Sequence, residues 1–364
     1  TQVEQLNKTA LKSHGLDSNG QLYKINSFEF YRYEDIIKKE DDAGYDKTAF
    51  EKMLEIKGDS DHTKLIDMLT DLNDYSIGIE DVLKEHFDEE NIVYWMAFQI
   101  LMGNVDTQNR NVYLYSPLNS DIWYFIAWDN DGCLMRPEYE LRNFSDQNSW
   151  EKGISNYWGN ILFQRCLKSR SFREKLNDAI LDLREYLNKD MLTSKIESYK
   201  NVLKPYLYLM PDAEYEPLTS EQYDQIAASL PDEIEKNYKL YLESLETPMP
   251  FYIGVPTIDG DKLKFNWDVS YDLDAEDITY SVEVAGDYLF RDVIYQNTTL
   301  TVPEAEMDLP KAGQYFVRVR ATNTSGKTQD AFDYYVTDEG KYYGMRCFYI
   351  TEDSTVEEDD YEEG

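Results

Sequence analysis

The spacing of apolar residues changes along the chain, and the change divides it in two. From Thr63 to Leu72, the positions Leu65, Ile66, Met68, Leu69 and Leu72 recur at helical spacing, and Ile79–Phe87 predicts a second, shorter helix. The stretch Glu89–Met102 (EENIVYWMAFQILM) is apolar almost all round, which predicts a buried helix. Its acidic start suits the helix dipole, and Gly103-Asn104 stops it. Val112–Tyr115 and Trp123–Ala127 are strand-like and flank the turn-rich Ser116-Pro117-Leu118-Asn119-Ser120, a hairpin pattern. Amphipathic stretches near 156–167, 170–187, 190–203 and 219–245 predict further helices, interrupted by Pro211, Pro217 and Pro231. Near the N-terminus, residues 20–32 read as strand, with a slip of phase between Tyr23/Ile25 and Phe28/Phe30, and residues 33–48 as an irregular charged loop.

Beyond Thr247-Pro248-Met249-Pro250 the period shortens. Lys262–Trp267, Thr279–Val284, Thr299–Val302, Gln314–Ala321 and Ala331–Val336 alternate as strands, separated by turn signals such as Asp259-Gly260-Asp261 and Thr324-Ser325-Gly326. Such a run fits one β-sandwich. The expected organisation is a helix-rich domain over 1–246, a sandwich over 247–338 and an acidic, solvated tail over 339–364.

Composition narrows the function classes. A chain of 364 residues exceeds what one hydrophobic core usually supports, so two domains are expected. The net charge of −35 disfavours nucleic acid and anionic membrane surfaces, both of which need Lys/Arg patches. Basic proteins and metal ions suit it better, although the same charge also serves solubility alone. Three scattered cysteines and three histidines give no zinc spacing and no disulfide framework. No apolar run approaches the ~20 residues of a membrane span. The chain starts at Thr1 without an initiator Met or a signal peptide, as a trimmed or mature form would.

The chemistry concentrates in 103–132, GNVDTQNRNVYLYSPLNSDIWYFIAWDNDG. Asp106 lies in a loop just past the buried helix, Asn111 stands at the mouth of the hairpin, and the second strand delivers Asp129 and Asp131 before Gly132 turns the chain. Phosphoryl transfer is mostly positioning and charge neutralisation, and Mg²⁺ asks for hard oxygen ligands, one or two of them carboxylates. Protein kinases meet this need with an Asp-x4-Asn loop and a later metal-binding Asp. Asp106/Asn111 have that spacing, and Asp129 follows the second strand. Asp232/Asn237 and Asp292/Asn297 share the spacing, but one pair falls in a predicted helix and the other in the sandwich, so both are rejected. Taken without the surrounding text, the oxygens of 106–131 also suit an Asx-capped turn or a Ca²⁺-binding loop.

The whole text of the segment, G-N-x-D-x4-N, then Leu114-Tyr115, Trp123 and W-D-x-D-G, resembles the CotH (spore-coat-protein-H-like) kinase family. Gly20-Gln21-Leu22-Tyr23-Lys24 is similar to the family's G-x-L-Y-K strand. The resemblance implies an atypical protein-kinase-like fold, mostly helical with a short catalytic hairpin. It implies transfer of a phosphoryl group from ATP, with Mg²⁺ (or Mn²⁺ or Ca²⁺), to Ser/Thr of secreted, spore-coat or cell-surface proteins of a bacterium. By motif, Asp106 is the catalytic aspartate, Asn111, Asp129 and Asp131 are metal ligands, and Lys24 and Arg110 are nucleotide contacts. The implied substrates are proteins, basic and Ser-rich, and the implied location is extracellular or the spore surface. Residues 248–338 resemble a fibronectin type III domain, with Trp267 on an early strand and Gly313–Ala321 matching G-x-Y-x-x-R-V-x-A. Such a module implies a spacer or a site for a surface partner. The expected fold class is therefore α+β, a kinase-like domain plus an all-β sandwich. No glycine-rich phosphate loop is present, and the nucleotide-covering lobe is expected to be incomplete. A catalytically inactive kinase-like scaffold is the alternative.

Overall fold

Residues 4–142, 149–338 and 340–358 are described by the computed structural model. The chain folds as two compact units, Thr1–Asn143 with Tyr157–Leu240 and Phe144–Asn156 with Tyr241–Gly364.

The first unit is built around a four-stranded antiparallel sheet. A short helix α1 (Lys8–Ser13) precedes β1 (Gln21–Ile25), and α2 (Lys47–Met53) runs directly into β2 (Leu54–Ile56). Helices α3 (Thr63–Asn73), α4 (Ile79–His86) and α5 (Glu89–Met102) follow, then the hairpin of β3 (Val112–Ser116) and β4 (Tyr124–Ala127). The sheet order is β2-β1-β3-β4. Register puts Tyr23, Leu114 and Phe125 on one face, and Lys24, Glu55, Tyr113 and Ile126 on the other. The buried face meets the aromatic core, where Trp95 of α5 packs on Phe125 at 5.0 Å and stacks on Phe163 at 5.6 Å.

α5 spans the predicted residues because both ends are specified locally. The Asp88 side chain accepts the Asn91 N–H at its start, and Gly103 takes the left-handed conformation (φ 62°) at its end. Eight of its side chains are buried, among them Gln99. The remaining helices are α6 (Arg136–Arg142), α7 (Ile161–Lys168), α8 (Arg170–Tyr186), α9 (Lys189–Leu207), α10 (Ser220–Ser229) and α11 (Glu233–Leu245). The strand expected over 20–32 stops at Ile25. Phe30 and Tyr33 adopt positive φ, which no extended strand tolerates.

In the second unit the strands are antiparallel throughout. β5 (Thr257–Asp259), β6 (Lys262–Asn266) and β9 (Glu304–Asp308) form one sheet. β7 (Ile278–Ala285), β8 (Val293–Leu300), β10 (Gly313–Asn323) and β11 (Thr328–Asp330) belong to a second, and β12 (Tyr334–Thr337) pairs β13 (Gly340–Tyr343). Leu263 and Phe265 of one sheet share a core with Val282, Val284, Val317 and Val319 of the other. This is consistent with a fibronectin-like sandwich, and the architecture as a whole is α+β as expected.

One expectation fails in this unit. The segment after 338 is not simply a solvated tail. β14 (Met345–Ile350) lies inside the larger sheet, between β10 and β15 (Val356–Glu358). The apolar side chains Met345, Cys347, Phe348 and Ile350 are buried and anchor it, while the acidic residues ride on the edge strand β15. The last expected acidic residues, 359–364, lie outside the described residues. The strand expected at Thr299–Val302 is also misplaced: β8 runs from Val293 to Leu300, and residues 301–302 lie in the bend that follows. Among the described residues no helix is long and apolar enough to cross a membrane.

Candidate active site

The end of α5 opens the site. Gly103 turns the chain, and the Asn104 N–H returns to the Gln99 carbonyl at 3.0 Å, closing the helix with a Schellman-type bond. The loop that follows carries Asp106, Arg110 and Asn111, and the structure brings these three together. Asn111 Nδ2 donates to Asp106 Oδ2 at 2.7 Å, and Arg110 Nε pairs with Asp106 Oδ1 at 2.7 Å. Asn111 adopts φ 57°, and this left-handed kink aims its amide back at the carboxylate instead of along β3.

The loop is tethered from outside as well as within. Glu29 accepts from Asn109 Nδ2 and from the Tyr33 hydroxyl, both at 2.6 Å. Asn160 Nδ2 donates to the Gln108 carbonyl at 2.8 Å, and Thr107 meets the Tyr157 hydroxyl at 3.1 Å.

The turn after β4 abuts this loop. Asp129 is the second left-handed non-glycine residue of the site (φ 54°, ψ 56°), and residues Asn130–Gly132 form one 3₁₀ turn. A Cβ placed on Gly132 would lie 2.7 Å from Asn104 Oδ1 and 3.8 Å from Asp106 Cβ, so only glycine lets the turn come this close. Asp129 and Asp131 are exposed. Trp128 packs edge-on against Tyr113 at 5.3 Å and fixes the strand end that precedes Asp129. Burial pushes the Cys133 thiol up to about 12, against the opposing effect of a hydrogen bond with Asn104, so it stays protonated at neutral pH.

Lys24 is not part of this knot. It sits on β1 opposite Tyr113 and Glu55, half-buried on the sheet face that carries Tyr113 and Ile126. Arg110 is occupied by Asp106. Among the described residues no group of three or more His, Cys, Asp and Glu side chains is clustered to hold a metal ion by itself. The Asn111 amide oxygen and the Asp129 and Asp131 carboxylates are hard oxygen donors of the kind that could hold Mg²⁺, which keeps several waters and takes only one or two carboxylates.

Three residues to which the motif assigns no role complete the site. Gln99, Asn104 and Asn130 join their amides behind the loop: Gln99 Nε2 donates to Asn130 Oδ1 at 3.0 Å, and Asn104 Nδ2 donates to Gln99 Oε1 at 3.1 Å and Asn130 Oδ1 at 3.3 Å. Asn104 stands in the G-N-x-D motif and Asn130 between the aspartates of W-D-x-D-G, while Gln99 shows only as a glutamine in the otherwise apolar stretch 92–102.

The family model described as CotH kinase protein matches residues 1–241. No curated protein matches the chain. Among solved structures, surface layer protein SbsC, domains 1-6, aligns over 91% of this chain and 41% of that chain, at 12% identity and a TM-score of 0.15, too low for a shared fold. With the family model covering well over half of its length, the chain belongs to the CotH kinase family.

Proposed function

We propose that the chain is an atypical protein kinase that moves the γ-phosphoryl group of ATP to Ser or Thr hydroxyls of secreted, spore-coat or cell-surface proteins. The observation that carries this reading is the Asn111–Asp106 hydrogen bond, with the Asp129–Gly132 turn set against it. One lone pair on each Asp106 oxygen is engaged, by Asn111 and by Arg110. The second pair on each is left to accept the proton of the attacking hydroxyl. The hydroxyl oxygen then bonds to the γ-phosphorus as the bond to the β-bridging oxygen breaks, and ADP leaves. Asn111 uses its NH₂ on Asp106, so its Oδ1 is the amide atom that a cation would take. That oxygen and the Asp129 carboxylate, with Asp131 next along the turn, are the groups that would hold Mg²⁺. An ion held by these residues would supply neutralisation of the triphosphate. Lys24 is the candidate phosphate contact from the sheet. A chain of net charge −35 draws in basic substrates, so a Lys/Arg-containing, Ser-rich segment is the expected acceptor.

The absence of a glycine-rich phosphate loop from the sequence favours a second reading, a kinase-like scaffold without nucleotide chemistry. Calorimetric titration of ATP, with and without Mg²⁺, separates the two. Mg²⁺-dependent binding that Asp129→Ala abolishes supports the kinase; an unmutated chain that binds no ATP in either condition supports the scaffold.

A further inference from the structure

The amides of Gln99, Asn104 and Asn130 come from three different places: the last turn of α5, the loop that carries Asp106, and the turn that carries Asp129 and Asp131. Gln99 is fully buried and Asn104 is 2% exposed. Burying polar amides is unfavourable unless each finds partners, and a network of this kind stabilises only when its members are satisfied together. Asn104 is engaged on every side. Its Nδ2 donates to Gln99 and to Asn130, and its side chain also hydrogen-bonds the Cys133 thiol. Its Oδ1 accepts the Asp106 N–H at 3.3 Å. The same Oδ1 is the atom that the missing Gly132 side chain leaves room for. An apolar trio could fill this volume, but it would fix no register between loop and turn. Directional bonds do, since sliding either segment past the other breaks two of them at once.

We infer that Asn104, held by Gln99 and Asn130, is a positioning residue that sets the gap between the Asp106–Asn111 loop and the Asp129–Asp131 turn, and that divalent-cation binding depends on it. The inference rests on the kinase reading for its choice of ion, but not on phosphoryl transfer having been retained. The amides contact no substrate and hold no metal themselves; they act by keeping the oxygen donors on either side of them at a fixed separation.

The test is a Mn²⁺ titration of the full chain, with the free ion followed by electron paramagnetic resonance, beside urea denaturation of the same samples. The probe variants are Asn104→Asp and Gln99→Glu. Asn104→Asp keeps the shape but removes both Nδ2 donations, and the charge it adds would by itself attract a cation. Gln99→Glu still accepts from Asn104 but no longer donates to Asn130. The expected result is Mn²⁺ binding by the unmutated chain, its loss in Asp129→Ala, and at least a tenfold weakening in Asn104→Asp with the chain still folded before urea is added. Gln99→Glu is expected to weaken binding in the same direction. Should Asn104→Asp fail to fold, Gln99→Glu decides alone. Folded variants with unchanged Mn²⁺ affinity would reduce the amides to packing and overturn the inference, as would an unmutated chain that binds no Mn²⁺. A chain that binds Mn²⁺ through Asp129, responds to Asn104→Asp, and transfers no phosphate would overturn the kinase reading while leaving the amide device standing.

Discussion

Asp106–Asn111 and Asp232–Asn237 have the same residues at the same spacing, and the fold uses them for opposite ends. In the first pair a left-handed Asn111 folds its amide onto Asp106 at 2.7 Å, next to two further exposed carboxylates. In the second, Asp232 closes a 3₁₀ turn and reaches Lys189 at 2.5 Å, while Asn237 lies on α11 and points elsewhere. Asn237 Nδ2 donates to the Leu101 carbonyl at 2.9 Å, and its Oδ1 accepts from Arg136 Nη2 at 2.7 Å, so it ties off the last turn of α5 beside Gly103. A third pair, Asp292–Asn297, goes to β8 and the residue before it: the Asp292 carbonyl receives the Gly286 N–H, and Asn297 Oδ1 inside the strand accepts the Thr299 N–H. Spacing thus says little until the backbone conformation between the two residues is known. A loop with a positive φ converges its side chains, whereas a helix splays residues five apart by more than a quarter turn and sends them to different neighbours.

The largest effect expected from this comparison is on activity. Asp106→Asn should lower phosphoryl transfer to a basic, Ser-rich peptide by ~10²–10⁴-fold, the usual contribution of a positioned general base. Asp232→Asn should leave the rate within about twofold, since an exposed ion pair of this kind contributes little. Equal losses in the two variants, read by radiolabel transfer under saturating Mg²⁺ and ATP, would remove the distinction between the pairs.

The asparagines should separate the other way. Asn237→Ala leaves the Leu101 carbonyl and the Arg136 guanidinium short of a partner in a site 4% exposed, and each unsatisfied buried group costs about 1–3 kcal/mol. Urea denaturation should register a loss of that order. Asn111→Gly removes an amide that is only half-buried and leaves a residue at ease with φ 57°, so its stability should change by less than about 1 kcal/mol while transfer collapses. A stability loss in Asn111→Gly as large as that in Asn237→Ala would make the first pair structural too.

How much of this is legible in the sequence depends on whether local residues settle the outcome. The bounds of α5 are readable because Asp88 and Gly103 cap it and its apolar content leaves one place to put it. The hairpin is readable from two apolar runs around a Pro-Leu-Asn-Ser turn. α6 is not: Arg136–Arg142 carries no buried residue, and Arg136 is held by Glu233 and Asn237, nearly a hundred residues on. β14 escapes notice because its apolar residues lie beside a dense acidic run, and the pairing that decides its fate comes from β10, over twenty residues earlier. At the site, Asp106, Asn111 and Asp129, the residues proposed to act, can be named from motif and order. The joining role of the amides cannot, because Gln99 and Asn104 look like ordinary helix-interior and helix-stop residues until the turn at 130 arrives against them.

The smallest effect sharpens the comparison most finely. Each pair's aspartate has one basic partner on the surface, Arg110 for Asp106 and Lys189 for Asp232. Both pairs are well exposed, so Arg110→Gln and Lys189→Gln should each change stability by about 0.2–1 kcal/mol at most, and that change should shrink in salt. Stability therefore will not tell the two apart; transfer kinetics will. Lys189→Gln should move neither kcat nor KM. Arg110→Gln releases one oxygen of the carboxylate proposed as base and leaves its orientation to Asn111 alone, so kcat should shift while KM for ATP stays put. A rise in KM for ATP with kcat unchanged would instead mark Arg110 as a phosphate contact, and its bond to Asp106 as a resting arrangement that the nucleotide displaces.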